Sequence, residues 1–340
     1  MSDVCYSVRH DTLYRYEGDV AHSHQQLHLT PRDSERQHCL SHRIEVIPEP
    51  SERSEYQDAF GNTVTRVELE KPHDRLEVVA EMRVRLAPLP ELDLASGEPW
   101  ESVRDQLRYN AQSRSVSWLE AMRFRGESPY IRIKRVFSDF AQECLIPDTS
   151  VVSVAHGVMS KVHSEFRYQP GATDIATPLM EVFSNRCGVC QDFAHLMIAS
   201  LRSAGLAARY VSGYLYTRPS QPKRPRDSKA AKPSTQPAAK ASGIKEAPAR
   251  QSAIAKADEA PAAMVGADAS HAWVAVFAPP HGWIGFDPTN NLIINQEHVA
   301  LAWGRDFGDV SPLRGVILGG GSHQLSVKVA VEKTSHSAAP

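Results

Sequence analysis

Cysteine is scarce in this chain: five in 340 residues, and an odd number. That excludes the disulfide-dense framework of a small secreted domain and fits free thiols in a reducing compartment. Excess charge of either sign is missing too. Thirty-eight basic residues stand against forty acidic ones, so no global field is present to hold nucleic acid or an anionic membrane. No apolar run reaches the roughly eighteen residues of a membrane span. The opening MSDVCYSVRHDTLYRYEG has no apolar h-region. These absences predict a cytoplasmic protein with neither a nucleic-acid nor a membrane partner. What is present is an ordinary globular composition, 41% hydrophobic and 23% charged. The length suits two domains, or one with extensions.

The first 95 residues read as an N-terminal antiparallel β domain. YSVRHDTLYRY, HRIEVIPEP, TVTRVELEKP and RLEVVAEMRVRLAP alternate, with Pro, Asp and Gly61-Asn62 breaking the runs. His22, His24 and His28 fall at even spacing and read as plain strand histidines. Residues 96–165 change to helical spacing. Val151, Val154, Val158 and Val162 mark an amphipathic helix. Further on, Phe193, Leu196, Met197 and Leu201 form an apolar stripe that starts near Cys190 and stops at Gly205. LAARYVSGYLYT reads as a strand. SHAWVAVF, APPHG and WIGFD read as a hairpin. Residues 218–263 have no aromatics and carry ten lysines and arginines against four acidic residues. Such a stretch cannot bury enough apolar surface to offset its ordering entropy, which predicts a disordered insertion. HQLSVKVAVEK alternates again, a last strand for either sheet within 317–334. Residues 335–340 should fray.

RCGVCQDFAH, residues 186–195, holds two cysteines three apart. As zinc ligands, Cys187, Cys190 and His195 want a fourth partner, and the position where it should fall is Ser200. As a redox pair they have the helix start but not the small α/β unit that usually surrounds it. As a nucleophile, one cysteine needs an imidazole to take its proton and a third group to hold that imidazole. His271 opens the strand SHAWVAVF, and Asp287 closes the next strand, WIGFD. Adjacent antiparallel strands can bring the two together. The backbone N–H of Cys190, left unpaired by the first helical turn, suits a developing oxyanion.

At these residues the sequence resembles the transglutaminase-like superfamily, papain-related Cys-His-Asp enzymes, in the bacterial branch with an extra N-terminal β domain. The resemblance rests on FRYQPGATDIATP, GVCQDFAHLMIASLRSAGLAARYVSGYLYT, DASHAWVAVF, GWIGFDPTNN and GRDFGDVSPLRGV, in the family's order from 166 to 316. YSVRHDTLYRYEGDV and HQQLHLTPRD resemble that branch's N-terminal domain. The resemblance implies an α+β fold: an N-terminal antiparallel β domain, then a papain-like core over 166–316 in which the nucleophile's helix packs on an antiparallel sheet. It implies Cys190 as nucleophile, His271 as base and Asp287 as orienter. It also implies a peptide or protein substrate, with no cofactor and no metal.

Three departures stand out. The 218–263 insertion is long. Cys187 is not a motif position. Papain-like enzymes place an oxyanion glutamine where this chain has Ser184, and the tryptophan of transglutaminases proper has no counterpart between 119 and 272. Tyr168, Gln169, Thr173, Gln191 and Trp273 are the candidates for a second oxyanion donor or for substrate contact. Asp192, in the first helical turn, is expected to cap it. His195 is expected to pack. Gly188 is expected to allow close backbone approach or a positive φ. Arg305, Asp306 and Asp309 should shape the groove or tie the tail down. The implied chemistry is thioester formation at Cys190, resolved by water as in a peptidase or by an amine as in a transglutaminase. The absence of a D-x-D-x-D-G loop favours water. A non-catalytic scaffold and a redox pair are the alternatives.

Overall fold

The computed structural model describes residues 2–108, 115–217 and 270–334. Five strands come first: β1 (Val4–Leu27), β2 (Gln37–Ile47), β3 (Glu52–Gln57), β4 (Thr63–Leu69) and β5 (His73–Leu86). Alternation builds this sheet. In β5, Leu76, Val78, Ala80, Met82, Val84 and Leu86 are buried, while Arg75, Glu81, Arg83 and Arg85 face outward or lie near the surface. β1 buries Tyr6, Val8, His10 and Thr12 in the same rhythm.

Helices follow: α1 (Trp100–Gln106), α2 (Val116–Met122), α3 (Arg135–Ala141) and α4 (Val151–Glu165). Then come β6 (Arg167–Tyr168), α5 (Leu179–Asn185), β7 (Cys187–Gly188) and α6 (Cys190–Ser203). The chain ends with β8 (Ala208–Leu215), β9 (His271–Phe277), β10 (Trp283–Asp287), β11 (Leu292–Ile293), β12 (His298–Gly304), β13 (Leu313–Gly319) and β14 (His323–Thr334). The core sheet is antiparallel, in the order β11-β10-β9-β8-β12. α6 is buried from Asp192 to Arg202, because β8 and β9 cover one side and α3 and α4 the other. Such a helix is apolar nearly all round. The expected α+β architecture, with the cysteine's helix on an antiparallel sheet, is what the chain forms.

The terminal strand joins the N-terminal sheet. β14 pairs with the first half of β1, from Cys5↔Thr334 to Tyr16↔His323, and β13 pairs with its second half. The range expected for the core, 166–316, therefore takes in the start of a strand of the other sheet. The expected insertion at 218–263 and the tail at 335–340 lie outside the described residues. Among the described residues no helix is long and apolar enough to cross a membrane.

The N-terminal sheet clamps the core. β12 is the edge strand of the core sheet, so one side of its backbone needs partners. Two side chains supply them. Gln37 Oε1 accepts Ala300 N–H at 2.8 Å, and its Nε2 donates to Ala300 O at 2.7 Å. Asn62 does the same for Trp303, at 3.0 Å and 2.9 Å. Behind them His10 Nδ1 lies 2.8 Å from the Tyr214 hydroxyl.

Of the three even-spaced histidines, His22 and His24 lie exposed on β1. His28 lies past the strand end, buried, with Nδ1 at 3.1 Å from Ser311 O. The even spacing does not carry through to it because β1 stops at Leu27.

Candidate active site

The site begins with a turn. Arg186 ends α5 in a left-handed conformation, φ 52°. The chain then runs as β7 beside β6, with Arg167↔Cys187 and Tyr168↔Gly188 in parallel register. This two-residue ladder pins the FRYQPGAT segment against the start of α6. Gln169 N–H donates to Gly188 O at 2.9 Å. Asp192 caps the helix as expected: its Oδ2 accepts the Val189 N–H at 2.8 Å and the Thr173 hydroxyl at 2.6 Å. Burial pushes the Asp192 carboxyl up, and these two donors pull it partly back. Gly188 is needed for closeness. A Cβ there would lie 2.6 Å from Asp192 Oδ2 and 2.8 Å from its Cβ.

Cys190 is therefore the first residue of α6, half-buried, with an N–H that has no carbonyl in its own helix to bond. His271 opens β9 and Asp287 ends β10. The antiparallel pairing of these strands, through Phe286↔Val274, sets their ends side by side. His271 Nε2 lies 2.8 Å from Asp287 Oδ2, and both side chains are fully buried. The other ring nitrogen, Nδ1, is buried with no aligned partner among the described residues. Cys190 lies near enough to enter the ring's charge balance. Cys190 acts on the ring both as a hydrogen-bonding neighbour and as a charge, in a contact that is loosely aligned, as is common before substrate binds.

Charge on the pair is settled by competition. Burial is the largest single influence on His271 and disfavours its cation. The Asp287 carboxylate and Cys190 together outweigh it, and the ring's pKa stands above its ordinary value. Burial also acts against the Asp287 anion, but His271 and His298 outweigh it, and the carboxyl stays well below its usual range. Five donors surround this carboxylate. Oδ2 receives His271, His298 at 3.3 Å and Asn290 Nδ2 at 2.8 Å. Oδ1 receives the backbone N–H of Thr289 at 2.9 Å and of Asn290 at 3.2 Å. A carboxylate has about four acceptor positions, so this one is saturated.

His298 was not legible as a site residue. It is the first residue of the strand HVALAWG, and position alone gives it no distinction. The nitrogens of His271 and His298 and an Asp287 oxygen lie within 4.8 Å of one another, the spacing of a metal group. Their donors and acceptors are already matched to each other, so the donor chemistry is that of a hydrogen-bonded carboxylate.

The remaining candidates separate. Thr173 spends its hydroxyl on Asp192. Trp273 is buried, its ring edge-on to His298 at 5.3 Å. Tyr168 is half-buried at the ladder, and Gln169 is exposed beside it. Gln191 lines a cavity of about 270 Å³ with Tyr130, Arg132, Lys134 and His195. Ser184, in the papain glutamine's place, turns its hydroxyl to Met180 O. His195 packs, as expected: it stacks on Tyr130, and its Nε2 accepts Phe307 N–H at 3.2 Å. Burial, then Arg202, push its pKa down to about 3, so it is neutral. In GRDFGDV, Arg305 pairs with Asp309 at 2.8 Å, and Asp306 accepts Tyr130 N–H at 2.9 Å. These bonds hold the turn after β12 against the α2–α3 connection, and Arg305 and Asp309 also line a cavity of about 570 Å³ with Arg123 and Arg314.

Comparison with known proteins agrees with this architecture. The family model described as the bacterial transglutaminase-like N-terminal region matches residues 6–85. The model of the transglutaminase-like superfamily matches residues 138–288, a span that holds Cys190, His271 and Asp287. An uncharacterised protein of Mycobacterium tuberculosis is 34% identical over 319 residues, covering 92% of this chain and 87% of that one. One from Mycobacterium leprae is 29% identical over 328 residues, covering 96% and 98%. A crystal structure from Cytophaga hutchinsonii, of a protein whose description proposes a cysteine protease, shares the fold. Its TM-score is 0.67 at 17% identity, over 100% of this chain and 94% of that one. The chain belongs to the transglutaminase-like superfamily, with the bacterial N-terminal region in front of its core.

Proposed function

We propose that the protein is a cysteine-dependent amidohydrolase acting on peptide or protein amides through a thioester at Cys190. One observation carries the reading: a buried, charge-matched His271–Asp287 pair beside a cysteine at the N-terminus of a buried helix. In the first half-reaction the thiol proton already rests on His271, whose pKa is raised, and the Cys190 thiolate attacks the amide carbonyl carbon. The oxyanion of the tetrahedral intermediate meets the Cys190 N–H and a second donor from Tyr168, Gln169 or Gln191. The C–N bond breaks as His271 returns its proton to the departing amine. In the second half, water attacks the thioester carbonyl and gives one proton to His271, the C–S bond breaks with that proton shared between His271 and the sulfur, and the carboxylic acid product releases its own proton to solvent. Asp287 keeps His271 in the tautomer that points Nδ1 at the thiol.

The test is a panel of peptide amides and isopeptides read by release of ammonia or amine, run with and without added methylamine. Hydrolysis predicts amine release that depends on Cys190 and leaves a free carboxylate product. Methylamine incorporated in place of water would make the protein a transglutaminase. Equal turnover by wild type and Cys190→Ala would sink the thioester mechanism altogether.

A further inference from the structure

We propose that His298 is a positioning residue: a neutral imidazole that donates its Nε2–H to Asp287 and holds that carboxylate ionised and aimed at His271. The inference rests on the reaction proposed above and adds a fourth residue to its machinery.

The geometry fixes the direction of each bond. His298 Nε2 lies 3.3 Å from Asp287 Oδ2, the same oxygen that His271 Nε2 meets at 2.8 Å, and both imidazoles are fully buried. The tautomer follows from the other side of the ring. Asn295 N–H reaches His298 Nδ1 at 3.4 Å, so Nδ1 accepts and the proton sits on Nε2. Asn295 Oδ1 also lies 3.2 Å from Nδ1 while accepting Glu297 N–H at 2.8 Å; the proton on Nε2 is required from the other side, where the Asp287 carboxylate can only accept. A proton on Nδ1 as well would make the ring a cation. The charged or titratable groups around it are Asp287 on β10, His271 on β9, Glu297 just before its own strand, and Cys190 on α6 beyond His271. Burial outweighs Asp287 and holds the His298 pKa down.

Neutrality is the useful property. While His271 holds the thiol's proton as a cation, Asp287 must remain an anion beside it. A donor without charge stabilises that anion and does not repel the imidazolium. The fold goes to some length to place this ring. His298 sits at the start of the edge strand β12, and β8 lies between it and the strand of His271. Gly213 on β8 makes the crossing possible. A Cβ there would lie 2.1 Å from Val299 O and 2.4 Å from the Trp273 ring. With no side chain at 213, the Trp273 ring fills the gap and meets His298 edge to face.

The test uses the full-length protein and iodoacetamide, with alkylation located by peptide mass. The reaction at Cys190 is expected to depend on His271. His298→Leu should slow it on the order of tenfold, the worth of one hydrogen bond to a charged group. His298→Gln, whose amide reaches the ε position and donates, should restore most of the rate. A Leu variant as fast as wild type, or a Gln variant as slow as Leu, overturns the proposal. Failure of the underlying reaction looks different: wild-type Cys190 alkylation would then ignore His271 before His298 is touched. Should the variants not fold, nitrogen–proton correlation spectra of the wild-type imidazoles decide. A His298 proton on Nε2 alone at pH 7 supports the proposal. A proton on Nδ1, or on both nitrogens, overturns it.

Discussion

At the scale of single residues, the site is a matter of how Asp287 is satisfied. Five N–H groups converge on its two oxygens. A carboxylate in that setting orients and does not accept a proton. Asp287→Asn replaces one oxygen with a donor that would face other donors. The expected result is a fall in kcat on the order of 10³ with a correctly folded protein, measured as amine release per titrated Cys190. An unchanged kcat would mean that His271 needs no orienter. The grouping of Cys190, His271 and Asp287 was legible because a thiol, an imidazole and a carboxylate differ in chemistry and sit at the starts or ends of recognisable elements. Asp192 was legible too, since an acid in a first helical turn has few other jobs. His298 was not. Its role depends on a missing side chain at Gly213 and on a ring laid across it, and neither spacing nor periodicity encodes that.

At the scale of elements, two devices hold the strands in the register the site needs. The first is the space at Gly213. Gly213→Ala should drive the new methyl into Val299 O and Trp273, and overpacking of this kind costs typically 1–3 kcal/mol. A urea midpoint equal to wild type would show that the strands can part there. The second is the amide clamp on β12. Gln37→Leu leaves an N–H and a carbonyl of Ala300 unpaired at a buried edge, at a cost of about 1–3 kcal/mol. Asn62→Leu should do the same through Trp303, read again as a shift in urea midpoint. Strand and helix periodicity located these elements well, from the even positions of β5 to the apolar stripe of α6. The return of β13 and β14 to the N-terminal sheet was not legible, because an alternating strand fits the edge of any sheet with a matching face.

At the scale of the whole molecule, buried histidines set the response to acid. Burial lowers the pKa of His10 to about 4 and of His195 to about 3, and lowers those of His28 and His298 as well. Each is below its unfolded value, so the unfolded chain takes up the protons first as pH falls. Stability should therefore decline from about pH 6.5 downward, by up to about 1.4 kcal/mol per pH unit for each group. Asp287, whose carboxyl is depressed, adds a further loss below the ordinary carboxylate range. His271 runs the other way: its raised pKa contributes stability that is full below about pH 6.5 and is lost progressively as the pH climbs from there toward about 10. Chemical denaturation at pH 7 and pH 5 checks the sign, and equal midpoints would contradict it. The two sheets, the clamp and the buried helix all serve to bring one thiol beside one imidazole. The rate of iodoacetamide alkylation, resolved by cysteine, tests that claim most directly. Cys190 should react much faster than Cys187, its half-buried neighbour one turn away, and should lose that advantage in His271→Ala. Equal rates at the two cysteines, or a Cys190 rate untouched by His271→Ala, would contradict the account.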